Sequence, residues 1–438
     1  MAIDTIRDIA KYTELIKIKD FYNVNNPFNY LIKWDKEDID KFEWRKKVSY
    51  LKNFTKPIVN GLVNRLFIKQ HIFNISNEEY LKDIDLQGDS LKAFIKKATM
   101  LAIRDGLCLI YAGTNNKFVN ISKLDEERYN IRGYLKLYEY NQIVNYRYSN
   151  NILTQIVLQE QIFINDDKDE YNTIEVTKYI RLFIGGGEVY IKNGNKIELI
   201  DSWNNNLSYI PITIFYGTLD YTNLNANSII KDIVELNQSH YNLSSGLMNI
   251  SHIVSNPIPI LYGQPQNLDR DLKLGVNSVI MFPTAQNNAF KFEWVEVLGN
   301  GVKIAEREID KLEEYIISIS FDILRVDKIN TATEAIIKDN NNKSILSTIA
   351  DNLESSINKA LSILETLTNT KIGNIEINKD IDSTRLNAES IKNLIELRKN
   401  NIISTETILD SLMKGEIIDN IDIDNELAKI QRDMQLGI

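Results

Sequence analysis

Two stretches of narrow apolar periodicity bracket a proline-rich segment between residues 228 and 326, and this layout restricts the folds open to the chain more than any other feature. In the first stretch apolar residues fall at Ile229, Ile233, Leu236, Leu243, Leu247, Ile250 and Val254, with His240 completing an alternation of four and three. In the second, Val302, Ala305, Ile309, Leu312, Ile316, Ile319, Ile323 and Val326 alternate three and four without a break. Each predicts a helix with one apolar stripe, roughly 37 Å long at 1.5 Å per residue. A stripe this narrow suits near-parallel helical neighbours better than a deep core, and an intrachain hairpin and a barrel wall fit it equally.

Between the helices, Pro257, Pro259, Pro265 and Pro283 account for more than half of the seven prolines, so helix is excluded over most of the segment. Short apolar runs at 258–261, 278–282 and 290–297 predict a few strands there, with the Gly299-Asn300-Gly301 turn leading into the second helix. Upstream, residues 1 to about 110 read as helical on the interleaved charged and apolar positions of 32–67 and 90–103, with Ser90 or Asp89 as a start and Gly106 as a stop. From 135 to 215 the pattern is strands, punctuated at Asn165-Asp166-Asp167, Gly185-Gly186-Gly187 and Asn193-Gly194-Asn195. Past 331 a further helix reaches about 369, with Ile345, Ile349, Leu353, Ile357, Ala360 and Leu364 on one side. Lys338, Asn341, Thr348, Asn352, Ser355 and Lys359 lie on the other. One strand at 375–377 and two or three helices at 387–436 follow, with Gly415 as a stop. The fold class is α+β.

A chain of 438 residues with 43% hydrophobic content has material for two or three compact modules. Its net charge of -9 argues against tight nucleic-acid binding, which needs clustered Lys and Arg, yet allows a conduit to which DNA must not stick. The single cysteine, Cys108, lies in the apolar run 107–110, which predicts a buried core residue and a reducing compartment. No run approaches the roughly 20 apolar residues of a membrane span.

Little in the sequence points to catalysis. His71, His240 and His252 are scattered, and no His or Cys pair has metal-site spacing. No glycine loop followed by Lys-Ser or Lys-Thr occurs, so the chain does not read as an ATP-driven motor. The triple glycine 185–187 precedes a strand, which favours a hairpin turn over a phosphate cradle. The acidic run Asp166-Asp167-Lys168-Asp169-Glu170 has the ligand chemistry of a divalent-metal nuclease, but a solvated loop tip is the simpler reading. His240 reads as a hydrogen-bonded packing residue. The expectation is a protein without enzymatic activity, cofactor or resident metal.

Several segments, taken in order, resemble the portal proteins of tailed double-stranded-DNA bacteriophages. They are Tyr80-Leu81-Lys82-Asp83-Ile84-Asp85-Leu86-Gln87-Gly88-Asp89-Ser90-Leu91 with 98–106, Ile210-Pro211-Ile212-Thr213, and Glu235-Leu236-Asn237-Gln238-Ser239-His240-Tyr241. Pro257-Ile258-Pro259-Ile260-Leu261-Tyr262-Gly263, Thr331-Ala332-Thr333-Glu334-Ala335 and Ile402-Ile403-Ser404-Thr405-Glu406-Thr407 complete the series. The resemblance implies a portal fold divided into a wing at 1–227, helical then β-rich, a first stem helix at 228–255, a clip at 256–300 and a second stem helix at 301–326. A tunnel loop and tunnel-lining helix would occupy 327–369, and a return strand and helical crown 370–438.

The resemblance further implies a homo-oligomeric, dodecameric ring at the capsid vertex of the virion, assembled in the host cytoplasm, through which DNA enters during packaging and leaves during ejection without sequence specificity. Lys328, Asn330, Thr331, Lys338, Asn341 and Lys343 would face the channel. Ile233, Leu236, His240, Leu243, Ile309, Leu312, Ile316 and Ile319 would form the stem packing seam. Gln264, Gln266, Asp269, Arg270 and Lys273 would dock partners at the clip. Those partners would be the large terminase motor and the head-to-tail adaptor, with major capsid and scaffolding proteins around the ring. The competing expectations are the metal-dependent phage nuclease and another ring or adaptor protein of the virion, although adaptors are usually far shorter.

Overall fold

The computed structural model describes residues 3–115, 132–166, 169–194, 196–255, 258–262, 280–282, 291–295, 300–324, 332–379, 388–400 and 403–414, together with 426, 429 and 432. Among these the chain is α+β and divides into two compact units, Met1–Phe67 with His71–Ile377, and Ile68–Gln70 with Asn378–Ile438.

The first unit opens with helices α1 (Ile9–Asn23), α2 (Ile39–Val48) and α3 (Thr55–Leu66). Asp8 caps α1 by accepting from the Lys11 amide at 2.9 Å, and Asp38 caps α2 by accepting from Asp40 at 2.8 Å. The region read as wholly helical is interrupted by strand β1 (Ile72–Ile75), whose partner β15 (Gly373–Glu376) lies near the far end of the unit; the pairing is antiparallel, with Phe73 opposite Ile375. After a short helix α4 (Glu78–Lys82), α5 (Leu91–Asp105) starts at Ser90, whose hydroxyl accepts from the Ala93 amide, and ends at Gly106 with φ +96°. That glycine is required twice over. Its φ is in the left-handed range, and a Cβ there would lie 2.9 Å from the Asn227 carbonyl carbon.

Strands β2 (Leu107–Thr114), β3 (Gly133–Glu139) and β9 (Ile212–Tyr216) form an antiparallel sheet in the order β3-β2-β9. It is covered by α5 and by the long helix α8 (Ala332–Thr368), so β2 reads as a continuous apolar run rather than an alternation. Cys108 lies within it, fully buried, its thiol directed at the Ala98 carbonyl and pushed well up in pKa by burial. On α8, Ile349, Leu353, Ile357, Ala360 and Leu364 are all buried, the stripe that the periodicity predicts.

A second sheet is an antiparallel meander of β4 (Ile143–Ser149), β5 (Ile152–Asp166), β6 (Asp169–Phe183), β7 (Gly186–Asn193) and β8 (Lys196–Asn204). Gly185, at φ +88°, makes the turn between β6 and β7, so the triple glycine is a hairpin element. The two sheets share a core of Leu107, Leu109, Tyr138, Ile156, Leu158, Ile180 and Leu182. A two-residue ladder, β10 (Tyr221–Thr222) with β11 (Asn225–Ala226), leads to the long hairpin. In the second unit, α9 (Ala388–Lys399) packs on α10 (Thr405–Lys414), and Ser404 caps α10 by accepting from the Thr407 amide at 3.0 Å.

Candidate functional site

The candidate site is the long hairpin of α6 (Lys231–Val254) and α7 (Asn300–Leu324), with the strands between them. The helices, 24 and 25 residues long, pack against each other. Between them β12 (Ile258–Tyr262), β13 (Ile280–Phe282) and β14 (Lys291–Val295) form a three-stranded sheet in the order β13-β12-β14, with β12 parallel to β13 and antiparallel to β14. Pro259 takes part in the ladder opposite Trp294. Tyr262 donates to Glu293 at 2.9 Å, and Lys291 pairs with Glu293 at 2.6 Å.

The stripe on α7 follows its sequence pattern inward: Ile309 and Ile316 are buried, Leu312 and Ile319 half-buried. On α6 the buried face is rotated from the apolar seam. Ile233 and His240 are buried and Leu236 is half-buried, but Leu243 and Ile250 are exposed. Their places inside are taken by Val234, Asn237, Tyr241 and Ser245. The cause is the surface that α6 meets. The stretch before α3 presents unpaired backbone, and Asn237 satisfies it, its Oδ1 accepting from the Phe54 amide at 3.2 Å and its Nδ2 donating to the Lys52 carbonyl at 2.9 Å.

Two polar clusters fix α6 in this rotation. In one, the buried Arg45 donates to both oxygens of Glu37 at 2.7 Å, to the Ile32 carbonyl at 2.7 Å and to Ser245 Oγ at 3.0 Å. Its guanidinium also lies 3.9 Å from the Trp34 ring centroid, and Gly246 leaves room for that ring. Hydrogen bonds from Arg45 hold the Glu37 carboxyl below its ordinary pKa against the effect of burial. In the other, His240 Nε2 and Glu313 Oε1 are 2.9 Å apart, Lys52 donates to Glu313 Oε2 at 2.7 Å, and the Phe54 ring meets His240 edge-on at 5.0 Å. Burial raises the Glu313 carboxyl, but hydrogen bonds from Lys52 and His240 outweigh it, and the net displacement is downward.

Arg45, Glu37, Asn237 and Ser245 carry no apolar signal. The eight-residue spacing of Asn237 and Ser245 on one face of α6 is the trace they leave in the sequence. Gln264, Gln266, Asp269, Arg270 and Lys273 lie outside the described residues, as do Lys328, Asn330 and Thr331. Lys338, Asn341 and Lys343 sit on α8, in a stretch whose side chains are likewise outside the described set. Asp166 and Asp169 pair across the β5–β6 hairpin end, and among the described residues no group of three or more His, Cys, Asp or Glu could hold a metal ion. No helix among the described residues is long and apolar enough to cross a membrane.

Residues 230–366 match a family described as a domain of unknown function (DUF4055), a span that takes in α6, the distal strands, α7 and most of α8. No curated protein matches the chain. Among solved structures it is similar, at 8% identity and a TM-score of 0.43, to a chain described as "Neck of native GTA particle computed with C12 symmetry", over 91% of this chain and 93% of that one. So loose a likeness assigns no function.

Proposed function

We propose that the chain is the ring-forming portal subunit of a tailed bacteriophage, a conduit for double-stranded DNA during packaging and ejection rather than an enzyme. The observation that carries this reading is the α6–α7 hairpin, whose outer surface keeps Leu243, Met248, Ile250, Ile304, Tyr315 and Ile317 exposed in the lone subunit. Large apolar side chains left exposed at several faces of one element suit surfaces that other protein copies cover. One heterologous contact repeated around an axis closes such surfaces into a ring. The ordered segments that resemble portal proteins span the same hairpin, with its helices as stem and its distal strands as clip.

The charge fits the role. A duplex bears one negative charge per about 1.7 Å of axis, and a net-acidic tube keeps it from sticking. In this reading the clip meets the terminase motor and then the head-to-tail adaptor, and capsid and scaffolding proteins hold the ring at the vertex.

Electron microscopy of the purified protein with light scattering tests the proposal. Twelve copies of the 50.6 kDa chain give particles of roughly 600 kDa with a central hole. A compact monomer or dimer at every salt and protein concentration overturns it.

A further inference from the structure

Strand β5 has an unmatched feature at each of its ends. Toward its C-terminal end, β5 and β6 run beyond both neighbouring strands. The outermost pair with β4 is Ile143 with Leu158, and the outermost pair with β7 is Thr177 with Lys192, yet the β5–β6 ladder continues through Phe163 with Glu175 to Asn165 with Thr173. Past its neighbours the hairpin is a two-stranded ribbon, which is marginal in water on its own. Phe163 is 69% exposed and Tyr171 92%. Phe163 shares a face with its partner Glu175, and Tyr171 lies beyond Thr173, in the irregular end of the ladder. Nearer the sheet, Tyr179 on that face is covered by Val144, Val157, Ile3 and Ile6, and this cover stops short of Phe163.

Toward its other end, beside the β4–β5 turn, a groove of about 490 Å³ opens between Tyr148, β9 and α8. Tyr216 and Tyr221, stacked with centroids 3.8 Å apart, form part of its wall. Thr213, itself buried, lines the groove, and its hydroxyl has no hydrogen-bond partner. Among the described lining residues Lys359 alone is charged, whereas the ribbon end carries Asp166, Asp167, Asp169, Glu170 and Glu175 against Lys168.

The two ends of β5, Ile152 and Asp166, lie about 46 Å apart at 3.3 Å per residue. The ribbon of a chain therefore cannot reach the groove of the same chain. We infer that the ribbon of one copy docks in the groove of the next, with Phe163 and Tyr171 against the tyrosine wall and the acidic ribbon end toward Lys359. Donor and acceptor sit at opposite ends of one sheet, so the contact is head-to-tail and repeats from copy to copy. This inference rests on the ring reading and adds to it a specific joint between wings.

Disulfide trapping tests it. Cys108 is fully buried, so new thiols can be placed in the otherwise unaltered chain. Tyr171→Cys and Ser355→Cys chains, each exposed at the substituted position, are mixed, assembled and mildly oxidised. The expected product is a reducible band at twice the 50.6 kDa chain in the mixture but in neither variant alone, and a ladder from the double variant. Rings of full mass without the mixed crosslink overturn the docking and leave the ring reading standing. Ser355→Cys chains that crosslink only to each other overturn it too. Absence of rings by light scattering, with no crosslink, sinks both.

Discussion

His240 on α6 and Glu313 on α7 meet at 2.9 Å, and Lys52 holds the second oxygen of the same carboxylate at 2.7 Å. One acidic side chain thus joins both long helices to the segment before α3.

The Glu313 carboxyl is held below its ordinary range, so its ionised form is stabilised by folding. That contribution is fully present above the unfolded glutamate value of about 4.3 and is lost as pH falls through the lower folded value. With the carboxylate still open to water on one side, screening limits the loss in Glu313→Gln to about 1 kcal/mol at pH 7. Urea titrations of both proteins should show this gap, and it should close as the pH is lowered below about 4. A gap independent of pH would sink the assignment.

Arg45 is 1% exposed and faces Glu37 in a paired, buried cluster. Arg45→Leu strands the Glu37 carboxylate and should cost about 3 kcal/mol or more. Glu37→Gln together with Arg45→Met should recover part of that loss. Thermal unfolding followed by circular dichroism should show the lower midpoint of the Arg45→Leu chain and its partial recovery in the double variant.

Gly373 opens β15 at φ +121°, and a Cβ there would lie 2.0 Å from the Asn74 carbonyl oxygen of β1. Gly373→Ala should therefore destabilise the first unit by about 2 kcal/mol or more, visible as a lower midpoint in thermal unfolding. An unchanged midpoint would mean that β1 and β15 do not pair in this register.

Leu243 and Ile317 lie exposed on the hairpin. Leu243→Glu with Ile317→Glu should change subunit stability by no more than about 0.5 kcal/mol per site, as surface substitutions do. If neighbouring copies cover this face, the same pair should reduce the assembled mass seen by light scattering to that of single chains. Full-sized rings from this variant would place the subunit contacts elsewhere.

Much of the architecture was legible as pattern. The α7 stripe through Ile309 and Ile316, the buried side of α8 and the stop at Gly106 follow from spacing and backbone geometry that apolar periodicity records. The true inner face of α6 was not, because Asn237 and Ser245 are buried to satisfy polar groups and not to escape water. Strand β1 was hidden for another reason. Four residues hold no clear alternation, and the partner that makes Ile72–Ile75 a strand is about three hundred positions away.

That distance also sets an order of events. A ribosome adding ~5–20 residues per second leaves Ile72 waiting on the order of fifteen to sixty seconds for Glu376 to emerge. Until then the edge of β1 is open, and α8, which covers β2 and β9, is completed only a few residues before β15. The subunit therefore completes its fold late in translation, and a chain cut short before β15 is a species for chaperones and proteases to clear.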